Sequence, residues 1–479
     1  MILQLLFFPL LAALLVLAAG NKWASKLALG AAFIELILTF VVYNEMMSAN
    51  EKSLLFFAPW IETPKISFHL AIDGLSLLMV ALTNVLMPLI ILSAFNRNIE
   101  NSRAYFSLML LMQFALVGVF MAMDGMLYYI FWELALIPIY FIALRWGGTN
   151  RITVTLKFFI YTLAGSLLML FGFIALYWYN PMHSFDIRDL YANVVCSCNQ
   201  GWLFWLFFLA YAIKIPIVPF HTWQADTYKE SPTQGTMLLS GIMLKMGTYS
   251  LIRWLLPVLP SGVMEWGPLA ITLSVIGIVY ASVIAIMQRD LKRLFAYSSV
   301  AHVGLIAAGI FALNMEGLQG ATMQMLAHGV NVVGLFFCAD IIYNRTETNN
   351  MHELGGIRLA APGFNTLFMI VVLGSVALPL TNAFIGEFLL LYGVYSYNTW
   401  LAAFAGLTII LGAVYMLRMF QHTMLGNTVD KTSAFAELKW NEWCVLGVIS
   451  ALIIIMGIYP NPIMELAQPV LTDILKHVK

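Results

Sequence analysis

The sequence predicts an all-α polytopic membrane protein with about fourteen transmembrane helices, and three observations carry that reading. First, of 479 residues, 61% are hydrophobic and only 10% are charged, against about 25% charged in a soluble domain. Second, the apolar residues fall in windows of about 18–25, each long enough to cross a bilayer core of ~30 Å. Third, lysine and arginine divide unevenly between alternate loops, as the positive-inside rule requires. The mean hydropathy is +0.87. A formal net charge of zero argues against nucleic-acid binding. No Walker lysine loop, dinucleotide fingerprint or multi-cysteine cluster is present, so no cofactor and no metal is expected in this chain. Cys196, Cys198, Cys338 and Cys444 are too few for a disulfide scaffold; Cys196 and Cys198 share a loop and read as free thiols or a minor bridge.

In chain order the windows are 2–20, 25–47, 73–95, 104–122, 126–145, 155–178, 202–223 (broken), 236–256, 267–287, 294–312, 318–342, 363–391 (broken), 399–424 and 441–467. The first reads as a span rather than a cleaved signal, because no small-x-small cleavage site precedes a soluble region. An even count puts both termini on one side. Loops on the side of the first connection hold sixteen of the 24 basic residues, beginning with Lys22 and Lys26. The opposite side holds six, Lys52, Lys65, Arg188, Arg253, Lys476 and Lys479, and two lie within the membrane. Both termini are therefore expected on the outer, periplasmic side. The loops are short, so the chemistry is expected inside the membrane.

The two intramembrane lysines mark the centre of the chain. Lys214 ends the apolar run from Trp202 and opens IKIPIVPFHTWQADTYKESPTQG, with Pro216, Pro219 and His221 close behind. Lys245 sits in the following run, MLLSGIMLKMGTYSLI from Met237. A lysine at bilayer depth costs about 2.5–3.5 kcal/mol on insertion scales and marks a functional site by default. The two prolines lack an N–H and oppose the carbonyl four residues back. A helix broken here frees carbonyls, which membranes tolerate only against protein or a wet cavity. The bland alternative is a snorkelling lysine beside an ordinary proline kink.

Glu133, in MLYYIFWELALIPIYFIALRW, lies near the middle of the fifth span, and Glu387, in LGSVALPLTNAFIGEFLLLYG, lies in the twelfth. Pro379 and Gly386 suggest that the twelfth span is broken like the seventh, and paired interrupted helices suggest inverted repeats. His302 and His328 occupy the tenth and eleventh spans and suit a proton relay, since histidine titrates nearest neutral pH; either also fits as a hydrogen-bonded core residue. Glu35, in the second span, is a further carboxylate that acts there or faces a neighbouring chain. Asp73 and Asp340 fall near span ends and read as helix-end residues, while His221 is open between structure and relay. Opposite charges about 6 Å apart at an effective dielectric near 20 interact by roughly 3 kcal/mol. Moving one charge against 100 mV costs about 2.3 kcal/mol, so a Glu133–Lys214 pair that opens and closes has the strength a pump needs.

At these residues the chain resembles the antiporter-like membrane subunits of respiratory complex I and their relatives in multisubunit Na⁺/H⁺ antiporters and membrane-bound hydrogenases. The matching stretches are DGLSLLMVALTN from Asp73, FWELALIPIYFIALRWG from Phe131, the segment from Ile213, GIMLKMG from Gly241, QRDLKRLFAYSSVAHVG from Gln288, QMLAHG from Gln324 and NAFIGEF from Asn382. They run from about residue 70 to 425. The ELALIPIYF wording, and Glu387 where the other antiporter-like members carry lysine, resemble the subunit M type (subunit 4 in mitochondria). Gln224 and Ala225 depart from the family, which often has leucine-proline after the PFHTW tryptophan.

The resemblance implies roles and an organisation. Glu133 and Lys214 would pair in a first half-channel, Lys245 would connect onward, His302 and His328 would continue a midplane polar axis, and Glu387 would end it. Residues 1–103 would form an N-terminal three-helix segment. Residues 104–256 (helices 4–8) and 257–424 (helices 9–13) would be the inverted repeats, and 425–479 helix 14 with a tail. The implied function is proton translocation within NADH:quinone oxidoreductase. Flavin and iron–sulfur clusters would lie in partner subunits. The implied partners are the other membrane-arm subunits, including the two other antiporter-like ones, and membrane lipid. The location would be a bacterial cytoplasmic membrane or an organellar inner membrane. A Na⁺/H⁺ antiporter subunit and a hydrogenase- or ferredoxin-type redox pump are the rivals.

Overall fold

The computed structural model describes residues 1–48, 54–95, 97–193 and 195–478; Lys52 and Lys479, counted above among the outer-side cations, lie outside them. Among the described residues the chain is dominated by helices, and ten of these are long and apolar enough to cross a membrane. Ile2–Ala18 and Pro362–Ser375 are shorter apolar helices. The chain divides into two compact units: Met1–Lys214 with Ile242–Pro268 and Leu466–Lys479, and Ile215–Gly241 with Leu269–Glu465.

In the first unit, Ile2–Ala18, Asn21–Met47, Gly74–Ser93 and Ser102–Met121 pack on one another, and Ser102–Met121 continues onto Gly125–Trp146. Arg151–Tyr179 then packs on both Gly125–Trp146 and Ser197–Lys214. Carboxylate caps set two of the helix starts, because the first turn of a helix leaves N–H groups unpaired. Asp73 accepts from the Ser76 N–H at 3.0 Å, and Asp124 accepts from those of Met126 and Leu127 at 3.0 and 3.2 Å. A cluster of buried aromatic side chains fills this unit: Tyr128, Trp132, Phe173, Phe207, Tyr211 and Trp254 touch ring to ring, with centroids 5.0–6.1 Å apart.

Hydropathy gave no hint of a β-hairpin, Leu55–Ile61 against Ile66–Ala71, antiparallel with Phe57 opposite His69. Two carboxylates anchor its second strand. Asp124 accepts from the Ser67 N–H and hydroxyl at 3.0 and 2.9 Å, and Asp186 lies 2.7 Å from Nδ1 of His69. Arg188 also pairs with Asp186, at 2.9 Å.

The last apolar window, 441–467, runs past its helix. Trp440–Ile458 stops before Tyr459 and Pro460, and a separate helix, Asn461–Val478, follows. That second helix is amphipathic: Ala467, Leu471, Ile474, Leu475 and Val478 form its buried stripe. It lies so close to the start of Gly74–Ser93 that a Cβ on Gly74 would sit 1.7 Å from the Leu466 carbonyl oxygen.

In the second unit, Met315–Thr346 is central. It packs against Leu291–Phe311, Pro362–Ser375, Asn382–Tyr397 and Trp440–Ile458. Pro362–Ser375 and Asn382–Tyr397 are separated by a break at 376–381 that contains Pro379. Ala377 (φ 58) and Leu380 (φ 75) adopt left-handed backbone within it, a conformation that costs a side-chain-bearing residue on the order of 1 kcal/mol or more. Gly386 lies inside the second helix and does not break it. Two cations placed in loops by the sequence are in fact buried. Arg253 is ion-paired to Asp73, and Lys292 donates to the Ser231 carbonyl at 3.2 Å.

Candidate functional site

Ser197–Lys214 ends at the lysine, and residues 215–223 are irregular until Gln224–Glu230 begins. The cause is Pro216 and Pro219: the residue before a proline avoids helical backbone, and the ring removes a donor. Lys214 therefore stands at a helix end, where free carbonyls favour a cation. Its side chain is 3% exposed, with Nζ 5.2 Å from the centre of the Trp132 ring. Trp132 precedes Glu133, whose charge is felt by Lys214 although the two form no direct ion pair. The Ser166 hydroxyl lies beside Glu133 and donates to the Leu163 carbonyl at 2.9 Å, and Oε1 of Glu133 is buried without a partner. The arrangement is an acid and a base within electrostatic reach but held apart, with an aromatic face under the cation, an attraction worth about 2 kcal/mol when desolvated.

Lys245 belongs to the same unit and is buried, on the helical turn Leu244–Ser250. Widened π-helical turns flank it at Leu239–Met243 and Leu251–Leu255. Such turns recur at functional sites, because they loosen the helical ladder beside a side chain.

The second group lies in the second unit. Nδ1 of His302 is 2.9 Å from Oε1 of Glu387, off the direction of a good hydrogen bond, and both side chains are buried. The His302 and His328 rings are 6.0 Å apart. Nε2 of His328 meets the Ser299 hydroxyl at 3.0 Å, and the Gln324 amide donates to Glu387 at 3.2 Å. His302, His328, Ser299 and Gln324 line a cavity of ≈ 20 Å³, together with Ser298, Asn331 and Ser375, room for about one water. Oε1 of Gln324 and Oδ1 of Asn331 are buried without a protein partner. Gly386 makes this arrangement possible, since a Cβ there would meet Gln324 Oε1 at 2.5 Å.

The structure thus brings Glu133 to Lys214, and His302 to both His328 and Glu387. It gives Asp73, Asp340 and His221 structural partners and buries Glu35. Asp73 is a helix cap paired with Arg253. Asp340 is 3% exposed rather than near water, and accepts from the Thr233 hydroxyl at 2.6 Å. His221 packs its ring edge-on against Tyr280 at 5.2 Å. Glu35 faces inward, with no surface exposed. All four cysteines are free. Sequence reasoning missed Trp132, Ser166, Ser299, Gln324 and Asn331. Trp132, Ser299 and Gln324 lay inside the quoted motifs, Gln324 one turn before His328. Ser166 and Asn331 carried no signal beyond being polar in apolar runs.

The family profile described as NADH:quinone oxidoreductase/Mrp antiporter, transmembrane, matches residues 122–412. NADH-quinone oxidoreductase subunit M of Rickettsia prowazekii is 38% identical over 471 residues, covering 96% of this chain and 95% of that one. NADH-ubiquinone oxidoreductase chain 4 of Arabidopsis thaliana is 33% identical over 481 residues, covering 99% and 97%. A chain in the structure of respiratory complex I from Thermus thermophilus with bound NADH matches with a TM-score of 0.92 at 29% identity, over 100% of both chains. The chain therefore belongs to the NADH:quinone oxidoreductase/Mrp antiporter transmembrane family, and it aligns over nearly its whole length with that family's subunit M and chain 4 members.

Proposed function

We propose that this chain is the M-type, proton-translocating membrane-arm subunit of an NADH:quinone oxidoreductase. Quinone reduction elsewhere in the assembly would drive protonation changes along Glu133, Lys214, Lys245, His302, His328 and Glu387. The observation that supports this most directly is an acid–base group in each compact unit, the half-buried Glu133 with the buried Lys214, and the buried Glu387 with the buried His302. Each is a switch of the required kind. A proton bound by one member changes the electrostatic free energy of its partner by about 3–4 kcal/mol at an effective dielectric near 20. A displacement of a few ångströms then decides where the proton resides. The flavin and iron–sulfur clusters would belong to partner subunits, among which the two other antiporter-like chains would be membrane neighbours.

In this reading the ten long apolar helices are joined by Ile2–Ala18, the broken segment from Ser197, the interrupted helix 233–258 and the pair Pro362–Ser375 with Asn382–Tyr397, which makes fourteen spans. Helices 4–8 and 9–13 form inverted repeats centred on the two breaks. Residues 1–103 stand before them and 425–479 after. Both termini lie on the outer side of a bacterial cytoplasmic or organellar inner membrane. The family also holds antiporter subunits; Glu387, on the resemblance a lysine in those, favours the oxidoreductase.

The test replaces Glu133 by alanine in native membranes and follows NADH oxidation together with NADH-driven acidification of inverted vesicles, with assembly checked by subunit content. Both should fall. If both are unchanged in an assembled complex, the reading is wrong, and gradient-driven Na⁺/H⁺ exchange becomes the assay of choice.

A further inference from the structure

Glu35 lies outside the family-matched residues 122–412 and outside both acid–base groups. It stands midway along Asn21–Met47, 14 residues from the start, which at 1.5 Å per residue is ~21 Å along the helix and near mid-bilayer. The buried stripe of this helix is Ala24, Ala28, Ala31, Ala32, Glu35, Thr39 and Val42. The small residues let it approach Gly74–Ser93 and Ser102–Met121 closely, so the carboxyl points into the protein. Glu35 is 0% exposed, and neither carboxyl oxygen has a hydrogen bond of good geometry.

Beside it runs a closed chain of amides and a hydroxyl. The Asn84 side chain lies beside the carboxyl. The Asn84 amide donates to the Thr39 hydroxyl at 2.8 Å, and Thr39 donates to the Glu35 backbone carbonyl at 2.9 Å. The Gln113 amide donates to Asn84 Oδ1 at 2.8 Å, leaving Gln113 Oε1 buried and unpartnered. Every member of this chain is buried. Among the described residues no cation faces the site. Ile2–Ala18 and Gly74–Ser93 contain no titratable side chain, Ser102–Met121 carries only Arg103 and Tyr105 near one end, and Asn21–Met47 carries Lys22, Lys26, Tyr43 and Glu45 toward its ends. An ionised carboxylate buried without a counter-charge costs several kcal/mol. A neutral acid avoids that cost.

We propose that Glu35 is a separate proton-binding site of the N-terminal helices, in which the carboxyl holds a proton at bilayer depth beside the Thr39–Asn84–Gln113 chain. The test compares infrared spectra of the intact complex, purified from native membranes, between wild type and Glu35→Gln. The difference spectrum should show the loss of one protonated-carboxyl C=O stretch per chain at neutral pH. Loss of ionised-carboxylate bands instead would overturn the proposal. If Glu35→Gln does not assemble, Glu35→Asp serves: a shift of the protonated C=O band supports the site, and a shift confined to carboxylate bands refutes it.

Discussion

Replacing Glu387 by Gln, His302 by Gln, and both together tests whether the two groups operate as one unit. Their nearest atoms are 2.9 Å apart and both are buried. Because each charge is delocalised over its group, the charge centres lie about 4 Å apart, and at an effective dielectric near 20 the ionised pair attracts by about 4 kcal/mol. That is roughly three decades in an equilibrium constant at 1.4 kcal/mol per decade. If a proton passes between them, losing either partner removes most of this coupling, and losing the second removes little more. The assay is NADH-driven acidification of inverted vesicles per NADH oxidised, in membranes with matched complex content. Each single variant should lower the ratio about tenfold or more, and the double variant should be no worse than the poorer single. The interaction energy of the cycle should reach about 1–3 kcal/mol, as for residues in direct contact. Single losses that simply multiply in the double variant would show that His302 and Glu387 act independently.

Gly386→Ala should disturb the same site without touching a charge. Its new Cβ meets Gln324 at 2.5 Å, an overpacking cost of typically 1–3 kcal/mol, read as lowered pumping with Glu387 intact. Phe173→Ala should remove a fully buried ring that touches Tyr128, Phe207 and Trp254, at about 3–5 kcal/mol, seen as earlier thermal loss of assembly. Trp132→Leu should weaken the hold on Lys214 by about 1–2 kcal/mol and reduce pumping more than it reduces assembly. At the hairpin, burial of Asp186 disfavours its charge, but the His69 and Arg188 hydrogen bonds outweigh burial and hold its carboxyl well below the usual range. Such a group stabilises above its unfolded value and loses that contribution as pH falls toward its folded one. The protection of residues 66–71 against hydrogen exchange, taken relative to each amide's intrinsic rate, should therefore stay constant from pH ~8 to ~5 and fall only below ~4, near the ordinary aspartate value. Asp186→Asn should lower it throughout.

Much of the fold was legible because long apolar runs and prolines act locally. The break after Lys214 follows from Pro216 and Pro219 alone, and the break at 376–381 from Pro379. The acid–base residues were legible because a charge in an apolar run has few bland explanations. What stayed hidden depends on partners distant in sequence. The hairpin is fixed by Asp124 and Asp186, whose roles nothing local announces. Gly386 looks like a helix breaker until Gln324 is seen against it. Arg253 and Lys292 look like loop cations until Asp73 and the Ser231 carbonyl come to meet them. The π-helical turns around Lys245 leave no trace in hydropathy.

The passage of the chain between its two compact units has a consequence for biosynthesis. The first unit contains the N-terminal helices, yet it also needs 242–268 and the tail from Leu466. The contact of Gly74 with Leu466 joins the start of the third helix to the segment from Leu466. At ~5–20 residues per second of translation, the early helices wait on the order of a minute in the bilayer for their last partner. During that interval Glu35 and Asn84 already have their neighbours from the first four helices, but Lys214 and Arg253 do not share a finished unit until the tail arrives. Insertion factors that shelter half-built helical proteins should therefore be needed most until the segment from Leu466 joins the first unit, and a stop codon placed before Asn461 should leave a chain whose first unit lacks that segment.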